Sequence, residues 1–325
     1  MDGDRSSVAD IRHLWRGDEL MLRFVNRWFK GRLLAAAPLL LLLMQGHGAG
    51  VDPNSLAVPA PFVAADPTPN YFPDWNNPQG KAQVDCATQP GEARETWVVL
   101  GQSNTTATAN GLHYPINPGV ENVNLSDGGC YRAKSGGPID PLLGATGYPP
   151  GLSIPYPTGS WVGVLADLRI SAGKATRETM MPIGVGGSYI KDWEPGGANN
   201  IRIGVAARRL AAIGISAPTG VLIGQGESDL YTPGSTYQAS LQNTINSIHS
   251  YWPNVNIYVA IETYINGLTS PAVRAAQMAV INPANHVFQG PDGDMLGDMY
   301  RYDRIHFSYS PGCTTWASRW QAVLP

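Results

Sequence analysis

Charge is what this 325-residue chain has little of: Asp, Glu, Lys and Arg together make up 14 %, with 22 basic against 25 acidic residues. The basic residues beyond position 95 are scattered, so the chain lacks the clustered basic face that a nucleic acid requires. Cysteine is scarce as well. Cys86, Cys130 and Cys313 allow one disulfide with a thiol left over, and none has the C-x-x-C spacing of a cysteine-built zinc site. Cys86 and Cys130 lie in loop-like sequence flanking the first predicted strand and are the pair expected to be bridged. The apolar run LLAAAPLLLLLM, from Leu33 to Met44, has 12 residues. That is short of the roughly 20 needed to span a bilayer as a helix.

What precedes and follows that run gives it a meaning. MLRFVNRWFKGR, beginning at Met21, carries Arg23, Arg27, Lys30 and Arg32 without an acid, and the small residues GHGAG follow. This is the order of a signal peptide, with cleavage expected near residues 46 to 50. Residues 1 to 20 hold Asp2, Asp4, Asp10, Asp18 and Glu19, unlike a signal's basic head, so Met21 is the expected start. The protein is expected to be secreted or periplasmic, without stable membrane insertion after cleavage; an uncleaved anchor is the alternative. The organisation read from the chain is an N-terminal extension and signal over 1–50, a Pro-rich linker over 51–94 and one globular domain over 95–325.

Glycine (37), proline (27), Tyr (14) and Trp (9) are plentiful, which describes a loop-rich protein whose aromatics are expected mostly in the core. Five short apolar runs read as strands: 96–100, 181–185, 220–224, 255–261 and 286–289. Continuous apolar runs without alternation suit strands covered on both faces. Amphipathic stretches beginning at 160, 199, 235 and 270 read as helices, with Ser270-Pro271 as an N-cap pair and Gly214 as a stop. Strand and helix alternate, which predicts a three-layer αβα sandwich around a doubly wound parallel five-stranded sheet. One stretch, 104–159, breaks the alternation; a loop of that length is usually functional.

The chemistry-bearing residues sit where strands end. Gly101-Gln102-Ser103-Asn104 follows the first strand, Gly186-Gly187-Ser188 with Trp193 the second, and Gln225-Gly226-Glu227-Ser228-Asp229 the third. In an open α/β sheet these turns converge at the carboxyl edge, where ligands bind. Near the C-terminus, Asp303 and His306 stand three residues apart, so the carboxylate can hold one imidazole nitrogen and leave the other for a nucleophile. Ser103 is then the nucleophile, His306 the base and later the acid, and Asp303 the orienter. The N–H groups of Ser103 and Gly187, with the Gln225 amide, are the expected oxyanion hole. Gln102, Asn104, Glu227 and Asp229 are expected to support it.

GQSN at 101–104, GGS with Trp193, QGESD at 225–229 and DRIHF at 303–307 together resemble the ordered blocks of SGNH hydrolases. The nearest resemblance is to the sialate O-acetylesterase and carbohydrate esterase family 6 (acetylxylan esterase) group, over roughly residues 95–320. The resemblance implies a flavodoxin-like sheet, removal of acetyl groups from carbohydrates, and no metal or other cofactor. Thr105 and Gly224 stand where members often have Met and Trp, so the sugar specificity of the group does not carry over. Two other readings compete. One is a metal-dependent hydrolase using Asp292, Asp294, Asp298 and Asp303 with His286 and His306; the other is a non-catalytic carbohydrate-binding protein on the same fold.

Overall fold

Burial on both faces explains the strand sequences. In the computed structural model, which describes residues 78, 80–87, 91–145 and 158–325, the run RETWVVLG forms β2 (Arg94–Gly101), buried from Thr96 onward. The other predicted strands are also found, as β5 (Arg177–Pro182), β6 (Gly220–Gly224), β7 (Asn256–Ile261) and β8 (Val287–Asp292). The sheet is wider than the five strands expected. It has eight, in the order β1-β4-β3-β5-β2-β6-β7-β8, where β1 is Lys81–Val84, β3 Val120–Val123 and β4 Cys130–Ala133. Six strands, β3 to β8 across that order, run parallel; β4 and β1 extend the edge antiparallel. β1 lies inside the segment expected to be linker, so the sheet begins before residue 95. The expected signal peptide and the start at Met21 fall outside the described residues, as do 146–157 of the long loop.

Helices cover both faces, which bears out the αβα sandwich. On one side α2 (Ile201–Ala212), α3 (Gly234–Tyr251) and α4 (Pro271–Ala279) pack Leu210, Leu241, Ile245 and Val273 against Val98, Leu100, Val221 and Ile257. On the other, α1 (Trp161–Ser171) and α5 (Thr314–Val323) bury Trp161, Leu165, Trp316 and Trp320 against Trp97, Val99 and Leu222. Trp161 and Trp320 stack with centroids 5.6 Å apart and planes 7° from parallel. The tryptophans at 97, 161, 193, 316 and 320 are therefore core residues. Local signals bound two helices as expected, with Ser270 capping α4 through Val273 N–H and Gly214, at φ +82°, following α2; Ser160 also caps α1 through Val162 N–H.

The few charges are spent on joining the edge strands to the core. Glu121 of β3 is fully buried and accepts from Arg132 of β4 and Arg177 of β5, with Arg94 of β2 at 3.3 Å. A buried carboxylate is tolerable only with such partners. Cys86 and Cys130 form the expected disulfide, with Cα atoms 5.7 Å apart, and Cys313 is a buried free thiol. Among the described residues no helix is long and apolar enough to cross a membrane.

Candidate active site

The strand order reverses direction at β2: the chain builds β3 and β5 on one side of it, then β6, β7 and β8 on the other. Such a switch point opens a crevice at the carboxyl ends of the strands. Ser103 stands there, two residues beyond β2, at the start of a short 3-10 turn (Ser103–Thr105). The turn is made possible by Gly101, at φ +148°, where a Cβ would lie 1.9 Å from the Gly224 carbonyl oxygen. Only glycine lets β2 and β6 approach so closely while the chain bends. Thr105 and Gly224, the two departures from the resembling group, pack together: a Cβ on Gly224 would stand 2.7 Å from Thr105 Cγ2. The small residue on β6 makes room for the branched one behind Ser103.

His306 arrives from the loop between β8 and α5. Its Nδ1 lies 2.6 Å from Asp303 Oδ2, while Asp303 Oδ1 accepts the backbone N–H groups of Ile305 and His306 at 2.9 and 2.7 Å. Burial pushes the Asp303 carboxyl up, but the His306 ring and those two N–H groups outweigh it and hold the carboxyl below its ordinary range. A carboxylate so held fixes the imidazole's orientation and the tautomer with hydrogen on Nδ1. Tyr302 stacks on the ring, with centroids 6.1 Å apart.

Asn104 joins the two halves. Its backbone carbonyl accepts the Trp161 indole N–H at 2.6 Å. Its side-chain oxygen accepts Phe307 N–H at 3.2 Å, and its amide donates to the Ile305 carbonyl at 3.3 Å and to Glu227 Oε1 at 2.5 Å. The residue after the serine thus grips the backbone on both sides of His306.

The turn after β5 carries Gly187, at φ +72°, and the buried Ser188, whose hydroxyl accepts from Trp193 Nε1 at 3.0 Å. Among the described residues, the backbone N–H groups of Ser103 and Gly187 donate to no protein acceptor. Gln225 differs from expectation. Its amide nitrogen lies 2.9 Å from Gln102 Oε1, 2.7 Å from the Ser188 carbonyl and 3.1 Å from Asp229 Oδ2, and the side chain is 1 % exposed. With both hydrogens engaged, it braces the three turns against one another and has none to offer an oxyanion. Gln102 completes the brace by accepting Ser228 N–H, and Asp229 by accepting Ile190 N–H, each at 2.9 Å. Burial pushes the Asp229 carboxyl up despite those donors.

The structure does not assemble the acidic run into a ligand set. Asp292 and Asp294 are ion-paired with Arg274, Asp298 with Arg304, and His286 Nδ1 faces Asn256. Cys86, Glu121 and Cys130 are the group among the described residues with metal-like spacing, and both cysteines are in the disulfide. Sequence reading missed Trp161, Arg301 and Glu262 at the site. The cationic Arg301 reaches the Ile305 carbonyl, and Glu262 lies wholly buried at the end of β7.

No protein-family model and no curated protein sequence matches the chain. Solved structures do. A protein from Arabidopsis thaliana is 16 % identical, with TM-score 0.54, the match covering 72 % of this chain and 100 % of that one. A carbohydrate acetylesterase from Xanthomonas citri is 15 % identical over 71 % of this chain and 56 % of its own length, with TM-score 0.49. A carbohydrate esterase family 3 protein from Talaromyces cellulolyticus is 15 % identical over 69 % and 93 %, with TM-score 0.42. The likeness to the Arabidopsis protein bears on the fold.

Proposed function

We propose that this chain is an exported serine esterase of the SGNH type that removes O-acetyl groups from acetylated carbohydrates. The observation that carries the reading is the Asp303–His306 pair, held by Asn104 beside the turn that presents Ser103. Ser103 Oγ attacks the ester carbonyl as His306 takes its proton, and the Ser103 and Gly187 N–H groups receive the developing oxyanion. Collapse breaks the bond to the sugar oxygen, which takes the proton from His306 and leaves as a hydroxyl. Water, activated by the same imidazole, then releases acetate from the acyl-serine. No step needs a metal or cofactor.

The block motifs GQSN, QGESD and DRIHF support the choice of substrate class. The disulfide fits an oxidising compartment, in keeping with export. The test compares wild type with Ser103→Ala and His306→Ala on 4-nitrophenyl acetate and on acetylated xylan. Loss of acetate release in both variants is expected; full activity in either overturns the assignment. Sugar binding without acetate release by wild type would favour the non-catalytic reading.

A further inference from the structure

Behind the nucleophile turn lies a second polar arrangement. Glu227, 1 % exposed, and Glu262, fully buried, face each other beside the end of β6, close enough for one carboxyl to donate to the other if it carries a proton. A Cβ on Gly224 would stand 2.8 Å from Glu262 Oε2, so Gly224 also makes room for this contact. Glu227 Oε1 accepts from Asn104 Nδ2 at 2.5 Å, whereas Glu227 Oε2 and both Glu262 oxygens have no protein donor. Two buried carboxyl oxygens that face each other repel when both are ionised, and a hydrogen between them turns that repulsion into a bond.

We propose that Glu227 and Glu262 hold one proton between them, and that this pair fixes, through Asn104, the spacing between the Ser103 turn and the His306 loop. Burial pushes both carboxyls up, but an ionised oxygen accepts the stronger bond from the Asn104 amide and Arg301 favours charge on Glu227, which assigns the proton to Glu262 as donor to Glu227. The surroundings favour one negative charge on the pair. Arg301 attracts it, Asp294 repels a second, and the Tyr237 hydroxyl and Asp229 stand nearby. Burial and the mutual contact push the Glu262 carboxyl well above its ordinary range, in the same sense. Arg301 also binds the Ile305 carbonyl that Asn104 touches, so the charge that balances the pair is tied to the loop bearing His306. Without the proton of Glu262, Glu227 would have to take one up itself. The oxygen facing Asn104 would then be a poorer acceptor and the amide would lose its hold. Both glutamates are positioning residues and neither touches substrate.

The kinetic part of this inference rests on the proposed esterase reading; the protonation does not. Infrared difference spectra of wild type against Glu262→Gln at about pH 8, where ordinary carboxyls are ionised, should show one protonated-carboxyl C=O band lost. Subtraction removes the contribution of Glu178, whose carboxyl is pushed up to about 9 by burial and by Glu95. Glu262→Gln, which keeps a neutral donor, should retain kcat within about twofold, whereas folded Glu262→Leu should lose on the order of 10- to 10²-fold in kcat with KM unchanged. An unaltered band in Glu262→Gln overturns the proposal, as does equal impairment of the Gln and Leu variants or full kcat in Leu. If Leu does not fold, the band and the kcat of Glu262→Gln decide. If wild type hydrolyses no ester, the esterase reading fails while the band still reports the shared proton.

Discussion

Replacing Gly101 with alanine puts the geometry of the turn that carries Ser103, the proposed nucleophile, under direct test. The new Cβ would lie 1.9 Å from the Gly224 carbonyl oxygen, 2.7 Å from its carbon and 2.9 Å from Thr105 Cγ2. Backbone must therefore retreat by more than about 1 Å, since carbon contacts under about 3.5 Å are already repulsive. β6 cannot yield cheaply, because it is paired on its far side with β7. Overpacking costs about 1–3 kcal/mol, and an L side chain at φ +148° adds about 1–3 kcal/mol of strain. A loss of about 2–6 kcal/mol is expected in urea unfolding followed by tryptophan fluorescence. Ser103 moves with the turn, and a 1 Å misplacement of a reacting group costs on the order of 10²-fold in rate. Wild-type stability together with wild-type kcat on 4-nitrophenyl acetate would refute the reasoning, since it would mean that the β2–β6 approach does not set the serine.

The disulfide closes a separation of 44 residues, so the double substitution Cys86→Ser, Cys130→Ser should lower unfolding free energy by about 4 kcal/mol; an unchanged urea midpoint would contradict this. Burial pushes the Asp140 carboxyl up to about 6 from an ordinary 3.8, although it accepts the N–H groups of His113 and Ser160. The folded state then binds more protons than the unfolded between about pH 4 and 6, so this group's contribution is greatest below that window and is lost as pH rises through it. Asp140→Asn should gain stability relative to wild type by on the order of 3 kcal/mol from pH 4 to 7, and a difference flat with pH would refute it. Acetate release should survive excess EDTA; its abolition, with recovery on adding back a divalent ion, would restore the metal reading.

What was legible in the sequence was whatever depends on local pattern. The apolar runs of β2, β5, β6, β7 and β8 announce burial on both faces, and Ser270 and Gly214 mark helix ends by local hydrogen bonding. β3 and β4 were hidden because VENV and CYRA carry Glu121 and Arg132, charges that can be buried only through Arg94 and Arg177 from distant strands. β1 is a four-residue edge strand amid Pro-rich sequence, too short for a period. In α5, Trp316 and Trp320 are one helical turn apart, a spacing that could have revealed it. At the site, the blocks point to Ser103, Asp303 and His306, of which the structure pairs the last two, whereas the direction of the Gln225 amide depends on three acceptors from separate turns. Glu262 reads as an ordinary acid after a strand; only the arrival of Glu227 beside it gives it a partner.

The claim that everything else depends on is an acyl group carried by Ser103. Incubating the protein with an acetylated substrate, quenching in acid within the turnover time and analysing its peptides by mass spectrometry tests it directly. The account predicts acetyl on the peptide containing Ser103 and none in Ser103→Ala. Acetate released at full rate with that peptide unmodified, or acetyl carried on another residue, would contradict it.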